Sequence, residues 1–288
     1  VTALPHAQDI ARRCGDSGPL TPAPSLSHQV YLGARVVVKL IDSVGHSRLD
    51  RELALAPHLP PGLTAPLLAS GRHTVDGREM RYACYTRMPG VNPEPDAATV
   101  RSYAEQAVHR LHILHTWTPP HAVVGTLGET LDHGGFTTRE ALLAGIEELA
   151  ATGRVPTWQT GVLQRIAQEA PVASPVTVPV HADCHWGNWL ADGGRLTALL
   201  DFEWARFGDP LDDWFFLIGG PGPHQDAARD VVARETGIAP DVLAAQCEVR
   251  HAAYLVADIL LGVTGSGLPE TIFQQRVESL AGLTAARR

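Results

Sequence analysis

Lysine occurs once in these 288 residues and asparagine twice, although arginine occurs 22 times. Such scarcity makes each of those positions worth asking about. Cysteine is also sparse: Cys14, Cys84, Cys184 and Cys247 are too widely spaced for C-x-x-C metal pairs or a dense disulfide framework, so reduced thiols are expected. No apolar run reaches the roughly 20 residues that cross a bilayer, and residues 1–20 mix charge with polar groups instead of building a secretory core. The expectation is a cytoplasmic protein with no membrane partner. Nucleic acid is disfavoured as a partner, because the formal charge is −8 and no positive cluster is present to track a phosphate backbone.

What charge there is divides unevenly. Residues 1–88 carry 10 Lys+Arg against 7 Asp+Glu, whereas residues 89–288 carry 13 against 24. An acidic second part suits a solvated surface, and equally a cleft that attracts a small cationic molecule.

The densest chemistry lies in His181-Ala-Asp-Cys-His-Trp-Gly-Asn188, followed by Asp201-Phe-Glu203. Moving a phosphoryl group to a hydroxyl requires a carboxylate to orient the nucleophile and hard oxygen ligands for Mg²⁺. Asp183, Asn188 and Asp201 meet those needs. The run Val176–Val180 reads as a strand, and Asp192-Gly-Gly194 as a turn between Asn188-Trp-Leu190 and Leu196–Leu200. A hairpin folded there brings Asn188 and Asp201 together. His181, Asp183 and His185 also alternate as H-x-D-x-H, which on a strand would form a metal cluster and suit a metal-dependent hydrolase instead. That alternative leaves Asn188, Asp201 and the single lysine without a role.

The lysine is Lys39, inside the apolar strand Arg35-Val-Val-Val-Lys-Leu-Ile41, which follows Gln29–Leu32 across Gly33. A compact ammonium there suits contact with phosphates. A helix is expected over 47–56, with Glu52 preferred to Asp50 as the partner of Lys39 because Leu49, Leu53 and Leu55 supply packing around it. Further strands at 66–71 and 79–88 run into Pro89-Gly90, a break between residues 1–88 and 89–288. The first 24 residues read as a lead-in. Beyond the break, helices are expected at 96–117, after the capping-box signature Thr137-Thr-Arg-Glu140, and at about 225–236, 241–263 and 268–285. His109, His112 and His115, spaced by threes, drift around their helix and make a poor metal site. Trp186, Trp189, Trp204, Trp214, Phe215 and Phe216 read as packing residues.

Together these segments resemble the aminoglycoside phosphotransferase family, small-molecule relatives of protein kinases. The pattern H-[GA]-D-x-H-x-x-N, then hydrophobic-D-[FW]-[DE] and G-D-P-x-x-D, stands here as His181–Asn188, Leu200–Glu203 and Gly208–Asp213. The resemblance implies an α+β, bilobal protein-kinase-like fold. Its N-terminal antiparallel sheet would carry one helix and bind nucleotide over 1–88, and a mainly helical C-terminal lobe over 89–288 would be catalytic. It further implies Asp183 as the base, Asn188 and Asp201 as Mg²⁺ ligands, and His181 and Asp213 as supports of the catalytic loop. Lys39 and Glu52 would serve an ATP or GTP donor, and backbone groups near Thr86 and Met88 its purine. Ala182 stands where the family usually has glycine, which is tolerable if that position needs no positive φ. No glycine-rich phosphate loop is present; Ser25-Leu-Ser-His-Gln29 occupies its place, and Ser27 is the residue that would reach a phosphate. The implied acceptor is a small cationic antibiotic, an aminoglycoside or a tuberactinomycin peptide such as capreomycin. The alternative within the same chemistry is a metabolic choline-, homoserine- or sugar-type kinase.

Overall fold

The computed structural model describes every residue except 1–2, 26–27, 43–47, 76, 130–134, 221 and 265–268. Five antiparallel strands form one sheet: β1 (Thr21–Ala23), β2 (Gln29–Leu32), β3 (Val36–Asp42), β4 (Leu67–Val75) and β5 (Arg78–Thr86), in the order β1-β2-β3-β5-β4. The two-residue side-chain period of β3 decides which side chains meet the rest of the molecule. Val36, Val38 and Leu40 point to one face and are buried there. Lys39 points to the other.

The buried face is covered by α1 (Leu4–Arg13), whose Ala7, Ile10 and Ala11 follow helical spacing and pack on Val36, Val38 and Leu40. Residues expected as a lead-in are thus a helix, and the sheet carries it in addition to α2 (Arg48–Leu55). On the opposite face α2 sets Leu49 against Ala83 and Tyr85. That packing turns Glu52 inward, while Asp50 pairs with Arg81 at the surface.

The remainder is mainly helical: α3 (Val100–His115), α4 (His121–Gly128), α5 (Arg139–Ala151), α6 (Thr157–Glu169), α7 (Pro210–Gly219), α8 (Gln225–Thr236), α9 (Pro240–Val263) and α10 (Glu270–Ala285). Two pairs of short strands interrupt it, β6 (Val178–Val180) with β9 (Arg206–Gly208), and β7 (Trp189–Asp192) with β8 (Arg195–Leu199). One core gathers α3, α4, α7, α8 and the β7–β8 hairpin around Trp186, Trp189 and Trp214, and another unites α5, α6, α9 and α10. The cap of α5 is Thr138, whose hydroxyl accepts from the Ala141 amide at 3.0 Å. The capping box expected from Thr137 and Glu140 is displaced by one residue, so Glu140 does not occupy its third position.

The Pro89-Gly90 break has a packing function. Gly90 has φ 105°, and a Cβ there would lie 2.2 Å from the Ala191 carbonyl oxygen. Only glycine allows that approach. It lets Val91 bridge Ala191 in antiparallel fashion and brings Asn92 to donate to the Gly187 and Trp189 carbonyls at 2.6 and 2.9 Å. The segment leaving the sheet is therefore stitched to the hairpin that carries the densest motif.

Candidate active site

Strand β6 delivers His181 into a loop whose shape is held by one buried carboxylate. Asp213, in the first turn of α7, accepts from the His181 amide at 3.0 Å and the Ala182 amide at 2.7 Å, and its Oδ2 lies 2.8 Å from His115 Nε2. Burial alone would raise the Asp213 pKa, but the His115 hydrogen bond and charge, with further help from His181 and the Ala182 amide, hold it below the usual range. His115 is thus a buried partner of the loop, a role its helical spacing did not reveal. His181 Nδ1 accepts from the Asp183 amide at 3.2 Å while Nε2 donates to the Leu200 carbonyl at 2.8 Å, which fixes the neutral Nε2–H tautomer. Burial depresses its pKa in agreement, against the pull of Asp213.

Ala182 has φ 62°, so the position does take the left-handed conformation. The expectation of an unstrained alanine is corrected: a Cβ there costs about 1–2 kcal/mol, offset by the two amide bonds to Asp213. The next residue, Asp183, is mostly buried but lines a cavity. Asn188 Nδ2 donates to the Asp183 carbonyl at 2.8 Å and to its Oδ2 at 3.1 Å, leaving Oδ1 toward the adjoining cavity. Burial pushes the Asp183 pKa up to about 8, Asp201 and Glu203 add to the rise, and Asn188 opposes it. A carboxyl tuned toward neutrality beside a cavity is the pattern expected of a proton acceptor.

The hairpin forms as expected: Trp189 pairs with Leu199, and Gly193 and Gly194 turn with φ 53° and 79°, suited to a tight two-residue loop. Its register, with the Leu200 amide donating to the Asn188 carbonyl at 2.7 Å, sets Asp201 beside Asn188. Asp201 in turn meets Lys39 across 162 residues of sequence: Nζ donates to Asp201 Oδ1 at 2.8 Å and to Glu52 Oε2 and Oε1 at 2.9 and 3.0 Å. Burial would lower the Lys39 pKa, yet the two carboxylates hold it above its ordinary value. Burial would raise Asp201, but the Lys39 ammonium outweighs it and holds Asp201 below the usual range. Glu52, the more deeply buried partner, is pushed up by burial and by Asp201 against the attraction of Lys39. Two carboxylates sharing one ammonium cannot both gain fully, and Asp201 is the favoured one.

Asp201 and Asn188 offer hard oxygen donors, one ionised and one an amide oxygen freed by the engagement of its nitrogen, and that set suits Mg²⁺. The rival cluster of His181, Asp183 and His185 is not assembled. Both His181 nitrogens serve the backbone, and His185 Nδ1 accepts from the Gly187 amide at 3.1 Å. Among the described residues the group whose ligand atoms converge is His28, Glu52 and Asp201.

Two cavities adjoin these residues. One, of about 400 Å³, is lined by Lys39, Glu52, Asn188 and Asp201 at one end and by Val30, Ala65, Met88, Leu190 and Leu200 at the other. It also receives Thr86, whose amide donates to the Pro66 carbonyl, while the neighbouring Arg87 amide donates to that of Arg35. Ser27 lies outside the described residues. The other cavity, of about 230 Å³, has Asp183 at its edge and Trp204, Phe215, Phe216 and Tyr254 in its walls. Trp204, Phe215 and Phe216 are therefore wall residues, whereas Trp186, Trp189 and Trp214 are core as expected. Three arginines balance its acids: Arg206 and Arg250 each reach Asp212 at 2.9 Å, and Arg276 reaches Asp258 at 2.7 Å. Among the described residues, Asp183 is the one acid lining this cavity that no arginine pairs.

The sequence model of the phosphotransferase enzyme family matches residues 20–245. No curated protein matches the chain. Among solved structures, the GDP complex of wild-type aminoglycoside 2′-phosphotransferase-IIIa is 16% identical with a TM-score of 0.78, covering 100% of both chains. The GDP and kanamycin complex of APH(2″)-IIIa is likewise 16% identical, with a TM-score of 0.73 over 98% of this chain and 99% of that one. The macrolide 2′-phosphotransferase MphH from Brachybacterium faecium is 20% identical, with a TM-score of 0.63 over 98% and 97%. These likenesses establish a kinase-like fold with an N-terminal antiparallel sheet and a helical C-terminal part.

Proposed function

This chain belongs to the phosphotransferase enzyme family, and on that premise we propose that it moves the γ-phosphoryl group of ATP or GTP to a hydroxyl of a small cationic antibiotic. The observation carrying the reading is the Lys39 ammonium, held by Glu52 and Asp201 at 2.8–3.0 Å in a cavity distinct from the one Asp183 lines. Residues 1–88 hold the nucleotide in this reading, and residues 89–288 supply the catalytic groups. The purine lies between Val30 and Ala65 on one side and Leu190 and Leu200 on the other, near the Met88 backbone. Lys39 contacts the α- and β-phosphates. Asn188 and Asp201 would hold Mg²⁺, which would supply neutralisation of phosphate charge.

Asp183 Oδ1 accepts a hydrogen bond from the acceptor hydroxyl and aims its oxygen at the γ-phosphorus. The new P–O bond forms as the bond to the bridging oxygen breaks, the nucleoside diphosphate leaves, and the hydroxyl proton passes late to Asp183. Asn188 keeps the carboxylate from rotating by holding Oδ2. His181 and Asp213 fix the loop and touch neither reactant.

The cavity walls narrow the acceptor. Among the described residues its arginines and acids are paired, so a polycation finds one open carboxylate there, whereas a molecule with a single amine and an apolar ring face meets four aromatic side chains. This favours a compact, mostly apolar antibiotic over a tuberactinomycin peptide. Nucleotide consumption over a panel of aminoglycosides, tuberactinomycins, macrolides, choline and homoserine tests the choice. Monoamine acceptors with apolar rings are expected to show kcat/KM at least about tenfold above the polycations. Turnover confined to choline or homoserine would assign the chain to metabolism and end the antibiotic reading.

A further inference from the structure

We propose that His28 contacts the nucleotide phosphates, its imidazole standing in for the glycine-rich backbone cradle that this chain lacks. The inference rests on the phosphotransferase reading and adds to it a residue outside the recognised motifs. His28 directly precedes β2 and lines the same cavity as Lys39, Glu52 and Asp201. A connecting segment ordinarily leaves a histidine in solvent. Here the side chain is only 2% exposed.

Burial has not brought the ring a hydrogen bond. Both Nδ1 and Nε2 are shielded from solvent and have no hydrogen-bond partner among the described residues. Nε2 lies 3.2 Å from Glu203 Oε2, an approach that fails the angular requirement and leaves that oxygen unsatisfied as well. Imidazole at any protonation state carries an N–H, and a buried donor in this condition calls for an acceptor. The position of the ring says which one. His28, Glu52 and Asp201 each place a ligand atom within 4.8 Å of the others, and Lys39 Nζ already binds the two carboxylates. An oxygen of the triphosphate contacting Lys39 beside Asp201 therefore meets the ring once the side chain turns toward the cavity it lines, since both nitrogens are shielded as they stand.

An imidazole with two carboxylates also has the composition of a transition-metal site. Lys39 Nζ already takes both Glu52 oxygens and one oxygen of Asp201, so a transition metal bridging all three residues would compete with that ammonium, whereas a phosphate oxygen is attracted by it. The phosphate is the occupant the charges favour.

Calorimetric titration with Mg²⁺ and non-hydrolysable ATP and GTP analogues, and with adenosine and guanosine at millimolar concentration, tests the assignment. His28→Ala is expected to weaken the triphosphate analogue by about 10–100-fold and the nucleoside by less than about twofold. His28→Asn or His28→Gln, each retaining an N–H donor, recovers most of the loss in at least one case. In the wild-type protein, the His28 imidazole NMR signals, assigned by their absence in His28→Gln, shift with the triphosphate analogue and stay in place with the nucleoside. Unchanged triphosphate affinity in His28→Ala, or equal losses for triphosphate and nucleoside, would overturn the assignment while leaving the phosphotransferase reading intact. Failure of the wild-type protein to bind either triphosphate analogue would overturn both.

Discussion

Asp183→Asn should lower kcat by about 10²–10⁴-fold while nucleotide affinity stays within about twofold, measured by steady-state turnover and by calorimetric titration. The split follows from geometry. Asp183 lines the aromatic-walled cavity and not the one that holds Lys39, so its loss removes hydroxyl alignment and the proton acceptor without touching the donor site. Asparagine preserves shape and can still accept from Asn188, which makes misfolding a poor rival explanation. The same substitution should raise the stability of the metal-free protein at alkaline pH. Burial holds the folded-state pKa at about 8, far above the unfolded value near 3.8. Between those values the folded state binds more protons than the unfolded state, so stability declines as pH rises from about 4 to 8. Asparagine lacks that liability. The stability difference between variant and wild type should therefore be small at pH 4, grow through this window and level off above pH 8, as read by urea denaturation. Near-normal turnover in the variant would remove Asp183 from the mechanism.

Asp213→Ala should destabilise the fold by about 3–5 kcal/mol, read as a lower urea midpoint at unchanged m, and should also abolish most activity. Few side chains here have so many dependants: two amides of the catalytic loop and His115 all converge on this fully buried carboxylate. Removing it leaves two buried N–H groups unpaired, and with them the force that keeps Ala182 left-handed. Asp213→Asn should fall between, since one acceptor oxygen remains. A loss of under about 1 kcal/mol in Asp213→Ala would mean that the loop is held by something other than this residue.

The parts of the site legible in the sequence are those encoded locally. Gly193-Gly194 between two apolar runs dictates a hairpin, and the hairpin register sets Asn188 against Asp201. Strand periodicity turns Lys39 away from the Val36–Val38–Leu40 face, and helix periodicity separates Glu52 from Asp50. The illegible parts depend on partners far along the chain. His115 has the spacing of an ordinary helix histidine, and only the docking of α7 delivers Asp213 to it 98 residues later. His28 is equally plain until the sheet folds over Glu203. The left-handed Ala182 is dictated by the amide bonds to Asp213 against the local preference of alanine, so no propensity could announce it. Local signals also misplaced the α5 cap by one residue and missed α1, whose short apolar stripe gains meaning only against the back of the sheet. The net charge of residues 89–288 does not say where its acids lie, and within the cavity Asp183 faces, arginines pair with Asp212 and Asp258.

The fate of the γ-phosphoryl group is the most direct measure of the central claim. With Mg²⁺, a γ-labelled nucleoside triphosphate and an acceptor from the panel, the wild-type chain should place the label in a phosphate ester on an acceptor hydroxyl. One nucleoside diphosphate should form for each ester, and Asp183→Asn should form almost none. Label recovered only as inorganic phosphate with every acceptor unchanged, or an acceptor cleaved without nucleotide, would contradict it.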